Sequence, residues 1–412
     1  MKHHSAQREY WRSLAHLAGS PDARAAAENE FAAYDPDELL KMPAVTRRRF
    51  MKLASASMAF AGLALSGCRR WPEQKLAPYT SRPAGRTPGI PEQYATIMEL
   101  NGVASPLLVK SFDGRPIKIE GNPTHPWSQT VRGRAGAADA IAQAAILEIY
   151  DPDRSTAVIN RTGGTPIAGN WDNFTGAMNP VIDTLTSSQG DGLAILSESS
   201  SSQTTARLKA AVAAKYPKAA FFEYEPISRY NELAGAKLAL GQPARLVHHL
   251  DKAMVIALFD ADPLGTHPAH VHYAGLWAMN RPNKQGDMSR MYAIESAMTL
   301  SGSVADCRLG VQPSRIGAIL SAVSARLGAG GTDSSLSADE EAFIKPLLVD
   351  ISNNPGATVV MVGAHHEPAI HALALAINQK IGAIDSTLAL LAEPNENVID
   401  HVQSICVLTN LL

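Results

Sequence analysis

The side chains best placed to do chemistry in this sequence follow an apolar run. Met254-Val255-Ile256-Ala257-Leu258-Phe259 reads as a buried parallel strand, and Asp260 and Asp262 come directly after it in Phe259-Asp260-Ala261-Asp262-Pro263-Leu264-Gly265. In open α/β sheets, ligands gather at the carboxyl ends of strands. The two carboxylates are therefore the candidates for contact with a small molecule, although helix capping and loop turning are the commoner uses of aspartate in such a place. His267, His270 and His272 form an HxxHxH cluster, and closely spaced imidazoles do serve in metal sites. No carboxylate or thiolate stands beside them at metal-site spacing, so they read as structural or surface histidines. His365, His366 and His371 read the same way. Spacing alone assigns no catalytic residue and no metal ligand.

The cysteines limit redox chemistry. Only Cys68, Cys307 and Cys406 are present, with no CxxC pair. A 4Fe–4S cluster takes four thiolates from cysteine-rich runs, so this chain alone does not supply one. Cys307 and Cys406 could pair in an oxidising compartment or stay as buried thiols. A net charge of -2 and 6% aromatic residues give neither the basic footprint nor the stacking platforms of a nucleic-acid-binding protein. With 412 residues and 45% hydrophobic content, the chain has material for two or three domains and a large core.

Cys68 has a second reading. Thr46-Arg47-Arg48-Arg49-Phe50-Met51-Lys52 is a paired-arginine export signal, with Arg47 and Arg48 as its core. The uncharged run from Leu53 to Gly67 is too short to span a bilayer and fits a signal h-region. Leu65-Ser66-Gly67-Cys68 then has the small-residue pattern of a lipoprotein cleavage box, with the Cys68 thiol as the site of lipidation. The leader before the arginines is unusually long for such a signal.

These features divide the chain. Residues 1–45 form a leader, 46–68 the signal and lipobox, and 69–95 a proline-rich tether. Residues 96–165 are β-rich: Thr96–Leu100, Pro106–Lys110 and Pro116–Glu120 read as strands, the last two joined by an Asp113-Gly114 hairpin turn. From 166 to 412, apolar runs at Gly192–Leu196, Ala219–Tyr224, Met254–Phe259 and Thr358–Val362 alternate with helical faces. Leu208, Ala211, Val212 and Tyr216 make one such face, and Ile370, Leu373, Ala374, Ile377 and Ile381 make another. That alternation predicts an α/β body with mainly parallel sheets flanked by helices. Residues 328–340 read as a surface loop.

Several motifs resemble one family. Asp113–Pro126 (DGRPIKIEGNPTHP), then Ile146–Ser155 (ILEIYDPDRS), then Ile167–Phe174 (IAGNWDNF) are similar to the opening of the molybdopterin oxidoreductase superfamily. With the YWRSL leader, the late TRRRFMK signal, GCRRWPEQKLAPY and Met288–Ser314, the chain resembles the N-terminal half of the large iron–sulfur subunit of alternative complex III. The resemblance implies a molybdopterin-oxidoreductase-like fold without the cofactor, acting as scaffold in a membrane quinol-oxidising complex of respiratory or photosynthetic electron transfer. It places iron–sulfur clusters and haem c on partners. Those partners are a ferredoxin-like half or chain, c-type cytochrome subunits and integral quinol-binding subunits, with this chain lipid-anchored or peripheral on the periplasmic side. Arg229–Gly241 (RYNELAGAKLALG), which matches the region of the superfamily's metal ligand, has no cysteine. The cluster-bearing half would lie beyond Leu412, on a separate chain or on a longer version of this one. Two other readings remain. One is a fragment of a genuine molybdopterin-dependent oxidoreductase, with Asp260, Asp262 and loop 121–126 helping to hold the pterin. The other is a periplasmic solute-binding lipoprotein.

The lipobox reading predicts that protein recovered from membranes starts at Cys68 and carries acyl mass there. Intact-mass and peptide mass spectrometry check it, and an unmodified, uncleaved Cys68 would refute it.

Overall fold

A computed structural model describes residues 89–128, 136–161, 164–281, 288–393 and 400–412, with isolated positions before residue 89. Arg47, Arg48 and Cys68, the export and lipidation candidates, lie outside the described residues. All elements described below belong to one compact unit, Pro91–Leu412.

An antiparallel meander comes first: β1 (Glu92–Leu100), β2 (Val103–Phe112) and β3 (Arg115–Gly121). Two-residue turns join them, Asn101-Gly102 and Asp113-Gly114, with all four residues at positive φ. That is the turn geometry whose twist matches an antiparallel hairpin. The second turn is the one the sequence predicts. The first strand starts at Glu92, earlier than Thr96, because β2 is long enough to pair Ser111 with Glu92. The ladder thus takes in the last residues of the stretch that composition reads as tether. Leu107 and Ile119 pack with Ala142 of the short helix α1 (Ala140–Ala144), which α2 (Ile146–Ile149) follows.

A small ribbon, β4 (Val158–Asn160) with β5 (Ile167–Gly169), leads into α3 (Trp171–Ser187). Asn170 and Asn173 close a reciprocal capping box at the start of that helix. The next unit is β6 (Ala194–Ser197), α4 (Gln203–Lys215) and β7 (Ala220–Glu223), with the two strands parallel. Then come α5 (Tyr230–Leu240) and β8 (Ala244–His248).

The body is built on β9 (Val255–Phe259), whose five residues are all buried. After α6 (His270–Met279) come β10 (Arg290–Glu295), α7 (Leu300–Val304) and β11 (Cys307–Gly310). Helices α8 (Pro313–Arg326) and α9 (Ala338–Asn353) precede β12 (Thr358–Val362). Helix α10 (Pro368–Lys380), strand β13 (Leu388–Ala392) and helix α11 (His401–Leu411) complete the chain. The four central strands are all parallel, in the order β11-β10-β9-β12, while β13 pairs antiparallel with β8. This is the α/β class the sequence predicts. The expected loop at 328–340 ends early, because Ser337 and Glu340 form a capping box that starts α9.

Strand alternation sorts the core into two layers. Val255, Ala257, Phe259, Tyr292 and Ile294 face Ile316, Leu320, Phe343 and Leu347 of α8 and α9. Ile256, Leu258, Met291, Val359 and Met361 face Tyr273 of α6 and Leu250. Both faces are covered, which is why these strands read as continuous apolar runs. Fully burying each large side chain is worth about 1.5–3 kcal/mol.

The outer edge of β12 is closed by side chains. Asn378 of α10 is 1% exposed. It accepts from the Val360 N–H at 2.9 Å and donates to the Val360 carbonyl at 2.8 Å. Thr387 Oγ donates to the Thr358 carbonyl at 2.6 Å. Replacing Asn378 with Leu keeps the bulk but strands two buried backbone groups. We expect a loss of at least about 2 kcal/mol in denaturant unfolding, whereas a stability within experimental error of the parent would remove this edge from the account.

Candidate functional site

The strand ends of β9 and β12 meet at one place. Val362 pairs with Phe259, so whatever follows each strand emerges side by side. Asp260 takes a left-handed backbone, φ 53°, with its N–H donating to the Ile294 carbonyl at 2.8 Å. On the β12 side Gly363 donates its N–H to the Phe259 carbonyl at 2.9 Å. A side chain at 363 would collide with the Asp260 carbonyl oxygen, so the close approach requires glycine.

The two sequence candidates do different work. Asp262 is buried and its carboxylate is held by Ser301 and Thr266. Oδ1 accepts from the Ser301 N–H at 2.9 Å and the Ser301 hydroxyl at 2.6 Å, and Oδ2 accepts from the Thr266 N–H at 2.9 Å. It holds the β9 loop to the start of α7, which is the capping and turning role. Asp260 Oδ1 accepts from the Ser296 N–H at 2.7 Å and the Ser296 hydroxyl at 3.0 Å. Its Oδ2 faces two imidazole nitrogens, His365 Nε2 at 3.4 Å and His366 Nε2 at 3.3 Å. The rings of His365 and His366 lie 4.3 Å apart. Burial pushes the His366 proton affinity below the ordinary histidine value; His365 adds to the effect and Asp260 opposes it.

A cavity of about 450 Å³ opens beside these groups, lined in part by Asn101, Ser228, Arg229, Asp260, His267 and His365. Its floor is a buried polar cluster. Arg229 pairs with Glu232 at the start of α5. Burial is the largest influence and opposes the Glu232 charge, but the charge and hydrogen bond of Arg229, together with the other groups around it, hold the carboxyl below the usual range. Burial likewise opposes the guanidinium, and Glu232, together with Tyr273 and Glu393, more than offsets it. The pair therefore stays ionised, and the histidines around it stay neutral. Burial, reinforced by Arg229, brings His248 down to about 4. Burial, reinforced by the His366 and His365 side chains, brings His371 down to about 4. Burial first, then Arg229, holds His267 well below its usual value. Burial pushes the Tyr273 hydroxyl up to about 12. Gly235 lets α10 approach α5 at this point, since a Cβ there would meet the Pro368 carbonyl at 2.7 Å.

The HxxHxH histidines serve three separate structural ends. His267 Nδ1 accepts from the Ala269 N–H at 2.9 Å, so its Nε2 carries the proton and is buried without a partner. His270 Nδ1 donates to the His267 carbonyl at 2.9 Å. His272 Nδ1 donates to the Trp127 carbonyl at 2.9 Å, and its ring stacks on Trp127 at 3.8 Å. Cys307 is buried on β11 and Cys406 exposed on α11, and the possible disulfide between them is not made.

Sequence reasoning did not bring His365 and His366 to Asp260. More than a hundred residues separate them, and only the parallel pairing of β9 with β12 makes them neighbours. The usable signal was their common position directly after an apolar strand. The Arg229–Glu232 pair carried no cue beyond its i,i+3 spacing.

No protein-family model matches the chain, and no curated protein matches its sequence. Among solved structures the chain is similar to acetylene hydratase from Pelobacter acetylenicus, with a TM-score of 0.46 and 12% identity. That alignment covers 72% of this chain and 43% of the other, so this chain spans less than half the length of the protein it matches.

The buried histidines make stability depend on pH. His248 and His371 sit at about 4 in the folded protein, against about 6.5 when unfolded. Between those values the unfolded chain binds more protons, so their contribution is complete above about pH 6.5 and is lost as pH falls to about 4. We expect the urea unfolding free energy to fall over that window with a limiting slope of about 2.7 kcal/mol per pH unit for the two together. A profile flat between pH 7 and pH 5 would show that these histidines are not held neutral.

Proposed function

We propose that this chain is a cofactor-free, molybdopterin-oxidoreductase-like scaffold in a membrane-associated quinol:electron-acceptor oxidoreductase of the alternative complex III type. The ordered motifs DGRPIKIEGNPTHP, ILEIYDPDRS and IAGNWDNF, with the late arginine signal and GCRRWPEQKLAPY, support the family. One structural observation carries the choice of scaffold over enzyme. At the strand end where a pterin would be held, both candidate carboxylates are engaged by the protein itself: Asp262 by Ser301 and Thr266, Asp260 by Ser296. A carboxylate has about four acceptor positions, and Asp262 spends three on Ser301 and Thr266. At Asp262 a pterin's N–H donors would have to displace those bonds, so this residue does not fit the group.

The exposed surface supports this role. Trp171, Phe174, Val181 and Ile182 on α3 and Ile167 beside it are solvent-facing, and α3 buries none of its residues. Apolar exposure of this extent on an α/β body suits subunit contact. Among the described residues no helix is long and apolar enough to cross a membrane, so membrane attachment in this reading comes from partners or from lipid at Cys68. Haem c and iron–sulfur clusters belong to those partners.

Affinity capture of the full chain from detergent-solubilised membranes tests the reading. We expect c-type haem absorbance, iron and integral membrane subunits to co-elute, and quinol oxidation to vanish from membranes lacking the chain. Recovery as a partner-free monomer, with quinol oxidation intact, would reject the scaffold role and favour a solute-binding lipoprotein.

A further inference from the structure

The cluster of Asp260, His365 and His366 has no part in the scaffold reading, and its geometry is not that of ordinary hydrogen bonding. Two imidazole nitrogens approach one carboxylate oxygen at 3.4 and 3.3 Å. Both distances exceed the 2.7–3.2 Å usual for N–H···O contacts, so as hydrogen bonds they are weak. They do match the edge of a tetrahedral metal site. Bonds of about 2.0–2.1 Å to nitrogen and oxygen place neighbouring ligand atoms about 3.3 Å apart. The three donor atoms all lie within 4.8 Å of one another.

We propose that Asp260 Oδ2, His365 Nε2 and His366 Nε2 form a binding site for a divalent transition ion of the zinc class. Two imidazoles and one carboxylate suit Zn²⁺ or its first-row neighbours, whereas Ca²⁺ and Mg²⁺ prefer all-oxygen shells. Two of the three ligands, Asp260 and His366, are already positioned. The Ser296 N–H binds Asp260 Oδ1 at 2.7 Å and its hydroxyl sits 3.0 Å from Oδ1 and 3.2 Å from Oδ2, which pins the carboxylate while Oδ2 keeps a further acceptor position for the metal. Such outer-shell bonds are what orient metal ligands. His366 is set by its N–H, which donates to the Gly363 carbonyl at 3.1 Å, and Gly363 is itself tied to Phe259. Only small side-chain movements would be needed to admit the ion.

Three protein ligands leave one position of a tetrahedron open. Asp260 and His365 both line the 450 Å³ cavity, so the open position is on that side. A water molecule or a small anionic ligand would complete the shell there. Zinc sites with three protein ligands and one exchangeable position are the kind that bind exogenous ligands, unlike closed structural sites. The inference does not rest on the scaffold reading, because it uses only the strand-end geometry.

The test is Zn²⁺ titration of the full chain after chelator treatment, followed by calorimetry, with Co²⁺ absorption as a probe of tetrahedral geometry. His365 is 65% exposed, so His365→Ala leaves the core untouched and is the decisive variant. Asp260→Asn is the second, and His125→Ala, an exposed histidine outside the cluster, is the control. We expect a single saturable site per chain and intense visible Co²⁺ bands. Affinity should fall at least about tenfold in His365→Ala and Asp260→Asn, since even second-shell changes cost that much, and should be unchanged in His125→Ala. Zinc binding by the parent chain no tighter than by His365→Ala overturns the proposal, whether or not Asp260→Asn folds.

Discussion

The parallel pairing of β9 with β12 is the constraint from which the rest of the site follows. Register places Phe259 opposite Val362, so the chain leaves the sheet twice at one point. The two exits must then share a small volume. Gly363 permits the approach, because any side chain there would strike the Asp260 carbonyl. Asp260 turns away with a positive φ, and its carboxylate ends beside the histidine pair that follows β12. Strand ends are where α/β sheets gather functional groups, since side chains from different loops converge there.

The second organising feature is electrostatic. An ionised Arg229–Glu232 pair is buried at the base of the cavity. Such a pair is costly to desolvate and holds only when its geometry is good and its neighbours are polar. Tyr273, His248, His267 and His371 provide that neutral polar surround, and the field of Arg229 helps keep His248 and His267 uncharged. The cluster ties α5 and α10 to β8, since His371 lies on α10 and His248 ends β8. Arg229, Glu232, His248, His267 and His371 also line the cavity. Cavity and core are therefore coupled, and a change in the charge of one is felt by the packing of the other.

The class of fold was legible because buried parallel strands announce themselves. Val255–Phe259 and Thr358–Val362 are unbroken apolar runs, and Asp113-Gly114 is an unambiguous hairpin turn. Strand β10, Arg290–Glu295, was harder to see because charged residues end it. Arg290 is neutralised by Asp350 at 2.8 Å and Glu295 by Arg308 at 2.5 Å, partners that no local pattern reveals. The dual role of the aspartates was half legible. Asp262 caps and turns as its residue type suggests, whereas the tie of Asp260 to Ser296, His365 and His366 depends wholly on long-range register. His365 and His366 looked like surface histidines, and one of them is largely exposed. Exposure did not exclude a role once the carboxylate was placed beside them.

In the proposed reading, an α/β body whose strand-end carboxylates are engaged by its own residues makes contacts rather than holding a pterin. The exposed apolar helix α3 and the engaged Asp262 are compatible with the proposed body that docks redox subunits. The most direct test of that claim is elemental analysis of the assembly purified from membranes with this chain as bait. The account predicts iron and haem c carried by the partners, with neither molybdenum nor tungsten above background. Molybdenum stoichiometric with the chain would contradict it and make the strand end beyond Phe259 a pterin site.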